Sequence, residues 1–412
     1  MTPPEIRRLG QLVPGPASAG TQPAEANNNL DIVVFKGRMY IAWRTAPTHF
    51  ASAAARIEIS SIRFDDSEAA ASPLEDQLKK PWRHEASVRM GADVREPRFA
   101  TTGERLMLFF MELGTDPRRF QPRRTWRVGS SGNGKWSDPV VAIADTIVPW
   151  RIRQLGERFV LTSYRGAERM YSLRPADTVV ELRFSDDLRT WSEPMPIHVG
   201  GTECELVELP DGNYFGVTRN EGPSHFGSDV LYGRSFDALS RRPVAPKLDS
   251  PYLFMWDGEP WLIARRSLSR SGRYGIAPHR IPGTIAIRVN QLAWSLSRKR
   301  SALWRLDPDR SSVKWVADLP SRGDTSFAGV IERSDGSLLV ADYTSPESSG
   351  DPVWVAGQLQ PTVIQLLAIS RPRATSTIAG SPVPTSRAKG SADGTPSARR
   401  RKSPASRRNQ DQ

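Results

Sequence analysis

Where the apolar segments of this sequence stop, arginines, carboxylates and one tyrosine recur. Counting seven residues past the glycines at 37, 103, 156, 212, 258 and 336 reaches Arg44, Phe110, Ser163, Arg219, Arg265 and Tyr343. Glu112 and Arg165 follow two residues after the second and third of these, on the same face of an extended chain. Ahead of the same glycines, the apolar segments begin near Asp31, Glu96 and Arg98, Glu203 and Glu205, and Asp324. Two carboxylates brought together, such as Glu96 and Glu205, can cleave a glycosidic bond: one protonates the leaving oxygen while the other serves as base or nucleophile. Each residue also has a plainer use. Arg219 and Glu221 could form a strand-end ion pair of little worth at a surface. Tyr343 could pack its ring and point its hydroxyl at water, and Asp324, in Gly-Asp-Thr-Ser-Phe, could tie a turn to backbone amides. Six polar strand ends together are poorly explained by accident.

Other chemistries lack their residues. The five histidines (His49, His84, His198, His225, His279) are scattered, none at metal-ligand spacing, so no metal is expected. Cys204 is the only cysteine, which excludes an intrachain disulfide and a multi-cysteine metal site. No phosphate-cradling glycine loop, nucleophile elbow or dinucleotide fingerprint occurs, so no cofactor is expected either. His225 lies just beyond a strand end and could overhang a site. The basic stretch 267–283 reads as a long loop, either a lid over an anionic ligand or a surface insertion.

The elements that would position these residues form a repeat. Segments 30–44, 96–112, 151–165, 204–219, 252–266 and 327–343 share one grammar: an apolar strand, a turn with Gly, and a second strand rich in β-branched and aromatic residues. Asp-Gly turns at 211–212, 257–258 and 335–336 favour tight hairpins, because Gly tolerates positive φ. Further strands are expected at 55–64 and 178–184, with 353–359 and 362–369 completing the last sheet. The fold class is therefore all-β: a six-bladed propeller of four-stranded antiparallel blades with disordered termini. A five-bladed count would require one hairpin to be an insertion. If the hairpins are the inner strands, each first-strand start and second-strand end lie at one edge, and all six converge on one mouth of the central channel.

Two phrases, GNGKWSDPV (132–140) and SDDLRTWSEPM (185–195), place a Trp after a polar turn and before Ser, an acid and Pro. Such a Trp can plug the gap between blades, and the Pro ends a strand. The second phrase resembles a degenerate Asp-box through Ser185, Asp187 and Trp191, one residue short and without the usual Gly. On this repeat pattern the chain resembles the sialidase (neuraminidase) superfamily of six-bladed propellers from about residue 30 to 370. A similar phrase occurs in five-bladed furanosidase-type glycosidases. By position the resemblance implies that Arg44, Arg219 and Arg265 clamp a sugar carboxylate, since a guanidinium fork matches two oxygens. It makes Tyr343 the nucleophile and Glu205 its base. Arg98 and Arg165 would join the substrate-binding set, with Glu96 and Asp324 as further catalytic candidates. The family's Arg-Ile-Pro phrase is absent. Its acid, usually an Asp in the loop after the first blade's inner strands, has no clear match among Asp65, Asp66, Asp93 and Glu96.

The net charge of +12 sits mostly at the end of the chain: ten basic and two acidic residues lie between 371 and 412. The Ser-, Pro- and Ala-rich tail cannot bury enough apolar surface to offset its ordering entropy. A weak, salt-dependent contact with a polyanion is its minority use. The expected organisation is a disordered leader (1–26), the propeller (27–370) and a disordered basic tail (371–412). Residues 1–20 make a poor secretion signal, so a cytoplasmic location is the expectation, with export the alternative. No apolar run is long enough to span a bilayer. Two functions remain: a sialidase-like hydrolase acting on an acidic or neutral glycan, and a non-catalytic propeller that binds a carbohydrate or protein partner at the same mouth.

Overall fold

The structure, a computed structural model, describes residues 3–67, 73–171, 176–222, 226–268 and 283–371. The tail beyond 371, His225, His279 and the stretch 269–282 of the basic loop lie outside the described residues. Strand β1 (Glu5–Val13) precedes a first blade of β2 (Ala26–Phe35), β3 (Arg38–Ala46), β4 (Arg56–Arg63) and β5 (Arg83–Val88), with helix α1 (Leu74–Lys79) before β5. The second blade is β6 (Asp93–Thr101), β7 (Leu106–Leu113), β8 (Pro122–Ser130) and β9 (Val140–Ile143). The third is β10 (Val148–Leu155), β11 (Arg158–Arg165), β12 (Val179–Ser185) and β13 (Met195–Val199). The fourth is β14 (Gly201–Glu208), β15 (Tyr214–Glu221), β16 (Phe226–Gly233) and β17 (Ser240–Val244). In the fifth, β18 (Asp249–Trp256) and β19 (Glu259–Ser267) are followed by helix α2 (Gly283–Ser295), then β20 (Lys299–Asp307) and β21 (Ser312–Asp318). The sixth has β22 (Ser326–Glu332), β23 (Leu338–Thr344), the short helix α3 (Trp354–Gly357) and β24 (Val363–Ser370).

All six sheets are four-stranded and antiparallel, so the fold is the six-bladed propeller that the hairpin repeat predicts. The predicted hairpins are the inner pairs, and β2, β6, β10, β14, β18 and β22 neighbour one another around the axis. At Lys36-Gly37 and Asp257-Gly258 both turn residues have positive φ (47° and 69°, 52° and 74°), the geometry of a two-residue hairpin. The other two Asp-Gly turns work differently. There the carboxylates of Asp211 and Asp335 accept from the N–H of Asn213 and Ser337.

Apolar side chains gather into six clusters, one at each meeting of neighbouring blades. Trp136 meets Tyr40 edge-on across the first such gap (centroids 6.5 Å apart), and Trp191 meets Phe109 across the second (5.8 Å). These are the plugging roles expected of both phrases. In the turn before Trp191, Asp187 accepts from the N–H groups of Arg189 and Thr190 at 2.8 Å, which hold its carboxyl below the usual range.

Two expectations about the chain ends are corrected. Residues 5–13 of the leader are not disordered: β1 pairs with β24 from Glu5↔Ser370 to Val13↔Ile364 and is the outer strand of the sixth blade. The segment 353–359 is not that blade's fourth strand; it contains α3. The ring is thus closed by joining the start of the chain to its last blade. β1 hides from sequence reading because an outermost strand packs little, and only Leu12 and Val13 of its residues are buried.

Removing residues 1–14 should strip β24 of its outer partner, leaving it paired with β23 alone and with an unprotected edge. A loss of several kcal/mol corresponds to a fall of about 5 °C in the thermal midpoint, or to aggregation on purification. An unchanged midpoint would mean that the closing strand contributes nothing.

Candidate functional site

The mouth is shaped by one irregularity repeated six times. Every inner strand slips register against its hairpin partner: between Asn28 and Leu30, Arg95 and Arg98, Pro149 and Arg151, Gly201 and Cys204, Asp249 and Tyr252, and Ser326 and Gly329. Such a bulge bends the strand and re-aims a side chain. Asn29, Glu96, Ser250 and Phe327 there adopt left-handed φ of 44°, 57°, 51° and 55°. Each costs about 1 kcal/mol or more, strain that clusters where function needs it.

On the side of the first and sixth blades, Arg44 is fully buried and donates to Asp93 (2.9 and 3.2 Å) and to the carbonyls of Thr48 (3.1 Å) and Phe50 (2.9 Å). Arg95 also binds Asp93. Asp324 gathers three donors: the Tyr343 hydroxyl at 3.1 Å, Trp354 Nε1 at 3.0 Å and His49 Nδ1 at 2.6 Å. Arg265 reaches the Thr325 carbonyl (2.7 Å) and the Tyr343 oxygen (3.4 Å), beneath the Trp354 ring. Burial and the Asp324 charge push the Tyr343 hydroxyl far above the ordinary tyrosine value.

On the side of the fourth and fifth blades, Arg219 is shared by Glu203 (2.7 Å), Glu221 and Asp249 (3.3 Å), and it donates to the hydroxyl of half-exposed Tyr171 (3.2 Å). Lys247 joins Glu221 (2.8 Å) and Asp249. Lys299 sits under the Trp294 ring, donates to the Trp294 carbonyl at 2.6 Å, and is pushed down to about 6 by burial. Between the two sides, Glu96 accepts from Asn29 (2.9 Å) and Arg98 (2.6 Å). Burial raises Glu96 to about 7 against the pull of Arg98 and Arg95, and the Glu203 charge adds to the rise.

Glu205 is not the partner of Tyr343. It lies deeper, where Arg153 (2.9 Å) and Arg151 (3.4 Å) hold one oxygen and the Leu253 N–H (2.9 Å) holds the other. The carboxylate at the tyrosine is Asp324. Arg98 points into the channel, between the Trp150 and Phe327 rings, and donates to the Trp150 carbonyl. Arg165 is not brought to the mouth; its exposed side chain pairs with Glu181 at 3.3 Å. Among the acids considered for the family's proton donor, Asp65 only closes a local turn with Ser67. Asp66 binds Arg333 near the sixth hairpin tip, away from the mouth. Asp93 is held by two arginines.

Sequence reading passed over His49, Arg95, Tyr171, Lys247, Asp249 and Lys299. The signal available for His49 was its place five residues past Arg44, in the loop that follows the first inner hairpin. Among the described residues no group of three or more His, Cys, Asp or Glu could hold a metal ion, and no helix is long and apolar enough to cross a membrane.

No family model matches the sequence, and a search of curated proteins finds no match. Solved structures do match. A protein of unknown function from Dyadobacter fermentans superposes with a TM-score of 0.60 at 12% identity, over 89% of this chain and 99% of that one. Trypanosoma rangeli sialidase in complex with sialic acid gives 0.52 at 12% identity, over 84% of this chain and 54% of that one. The chain therefore spans about half the length of the sialidase. An α-L-arabinofuranosidase from Fusarium graminearum, in complex with an iminosugar inhibitor, gives 0.52 at 12%, over 84% and 93%. At such identity the likeness is one of fold: this chain shares the propeller of these sialidase and furanosidase structures.

Glu96 supplies a pH test. Its folded value of about 7 exceeds the 4.5 of a free glutamate, so the native state keeps a proton that the unfolded chain releases. Its contribution to stability is therefore full below about pH 4.5 and lost as pH rises through 7, by up to ~3 kcal/mol. Glu96→Gln removes this titration. In denaturant unfolding, the variant should gain stability relative to wild type between pH 5 and pH 8, whereas a constant difference would mean that Glu96 is not held protonated.

Proposed function

We propose that this protein is a glycoside hydrolase that takes a neutral glycan at the mouth of the propeller. Glu96 acts as proton donor and Glu203 as the facing anionic carboxylate. The observation that carries this reading is that two glutamates from the bulged second and fourth inner strands, near enough for the Glu203 charge to act on Glu96, lie in unlike environments. Glu96 is raised to about 7 by burial. Glu203 accepts from Arg219 (2.7 Å) and from the Ser250 N–H (2.6 Å), donors suited to a carboxylate anion. Unlike environments let one carboxyl of a site keep its proton, ready to be given to a leaving oxygen, while its neighbour stays charged. The fold is shared with a sialidase bound to sialic acid and with an arabinofuranosidase bound to an iminosugar, which supports a sugar as the ligand.

The preference for a neutral sugar comes from the arginines. A sugar carboxylate needs a guanidinium with free donors. Arg44 is buried and spends its donors within the protein, and three carboxylates already neutralise Arg219. Of the three expected clamp residues, Arg265 alone makes no ion pair to a carboxylate among the described residues. Tyr343 is equally unsuited to attack, because its hydroxyl is sealed against Asp324 and held protonated.

A panel of aryl glycosides tests both parts. Wild type should turn over a neutral aryl furanoside or pyranoside, and an aryl sialoside at most weakly. Glu96→Gln should lower kcat by about 10²–10⁴-fold on substrates with poor leaving groups. Faster turnover of the sialoside would overturn the neutral-sugar preference. Sugar binding without turnover of any glycoside would make the protein a carbohydrate-binding propeller.

A further inference from the structure

The loop from β3 to β4 brings His49 to the mouth, where it meets a carboxylate from 275 residues away. Nδ1 lies 2.6 Å from Asp324 Oδ2, and this short contact, rather than the 3.2 Å one to the Asn28 amide, sets Nδ1 as the donor. The backbone of His49 is fixed as well: its N–H donates to the Gln358 carbonyl (3.3 Å), and its carbonyl accepts from Arg95 (3.2 Å). Asp324 is itself immobilised by Tyr343 and Trp354. The imidazole is thus held in one tautomer and one orientation. Nε2 has no hydrogen-bond partner among the described residues, and 14% of the side chain stays exposed.

A carboxylate that fixes Nδ1–H and leaves Nε2 open is the arrangement of an imidazole that accepts a proton and is steadied as a cation afterwards. We propose that His49 is the general base of this mouth, taking a proton from the water that attacks the sugar, with Asp324 as its positioning residue. This rests on the hydrolase reading above. In the step, the water oxygen bonds to the anomeric carbon as the bond from that carbon to the leaving oxygen breaks. The water proton goes to His49 Nε2, and the Glu96 proton goes to the leaving oxygen. Solvent then reprotonates Glu96 and takes the proton from His49.

Burial holds His49 below the ordinary histidine value despite Asp324, so Nε2 carries a lone pair at neutral pH. The charged groups around it are Asp324, Arg95, Arg44 and Asp93, with Tyr343 and Arg265 behind Asp324. Of these groups, none is poised to titrate near neutrality. Lys299, on the far side of the mouth, also titrates near 6, so the acid limb of kcat/KM is assigned to His49 by its loss in the His49 variant, and the alkaline limb, near 7, to Glu96.

The test uses the full chain and the aryl glycoside best turned over by wild type. His49→Ala should lower kcat by about 10²–10⁴-fold with KM little changed, and should lose the acid limb of the pH profile. Added imidazole should restore part of the rate. His49→Gln should be equally slow and remain unrescued, and Asp324→Asn should lower kcat without abolishing binding. Nitrogen-15 NMR of the unliganded protein should report the Nδ1–H tautomer for His49. If wild type turns over a glycoside and His49→Ala keeps its kcat, or is slowed but not rescued, this inference fails alone. An Nε2–H tautomer sinks it too. If wild type turns over no glycoside, the hydrolase reading fails and takes the general base with it.

Discussion

A charge taken out of water costs several kcal/mol unless an opposite charge and hydrogen bonds replace its hydration, and this propeller buries a column of charges along its axis. Arg151 lies between Asp31 (3.2 Å) and Glu205 (3.4 Å), and Arg153 completes the shell of Glu205. The same carboxylates also fasten blade to blade. Asp31 accepts from the Phe99 N–H of the next inner strand, and Glu205 does so from Leu253, both at 2.9 Å. Compensation and assembly are therefore one requirement. Inner strands can bring their polar ends together because charges such as Asp31, Arg151, Glu205 and Arg44 find partners on another blade, and those pairings help set where the strands sit.

The bulges use that frame. A regular strand reaching the mouth would present alternate residues to the channel and the opposite face. Six register slips at one level break the alternation and turn Asn29, Glu96 and Ser250 out of it. The blades thereby offer backbone donors as well as side chains: the Ser250 N–H takes Glu203, while Asn29 takes Glu96. The helices complete the rim. α3 lays Trp354 over Arg265, and α2 ends on Lys299 through the Trp294 carbonyl.

The blades and the mouth were legible because hairpin grammar is local: strand, glycine turn, strand, polar end. What failed to show depended on neighbours distant in sequence. Arg165 and Glu112 lie on the strand face that counting gives, but the third strand of each blade captures them. Glu181 stands diagonally across from Arg165, and Trp126 and Arg123 bind Glu112. Glu203 and Glu205 look equivalent at a spacing of two, yet the slip between Gly201 and Cys204 sends Glu203 to the mouth and leaves Glu205 in the channel. The carboxylate at Tyr343 therefore comes not from β14 but from Asp324, nineteen residues before the tyrosine. Position alone places His49 in the loop after the first inner hairpin, but a loop histidine has chemical meaning only beside the group that fixes its ring.

Within so charged a site, chemistry belongs to the groups whose protonation can change without dismantling the frame. Glu205 cannot give up its charge without leaving Arg151 and Arg153 buried and unmatched, and Asp93 stands likewise between Arg44 and Arg95. Glu96 differs. Arg98 divides its donors between Glu96 and the carbonyls of Trp150 and Pro97, and Glu203 sets a like charge against Glu96. Its proton is therefore held by burial and can be released. His49 differs in the opposite sense: burial keeps it neutral, while Asp324 stands ready to receive a cation. One acid inclined to give a proton and one base able to take it thus stand in a ring of pairs that cannot exchange theirs. On the hydrolase reading proposed above, that contrast, more than the number of arginines, marks this end of the channel as the place where the bond would be broken.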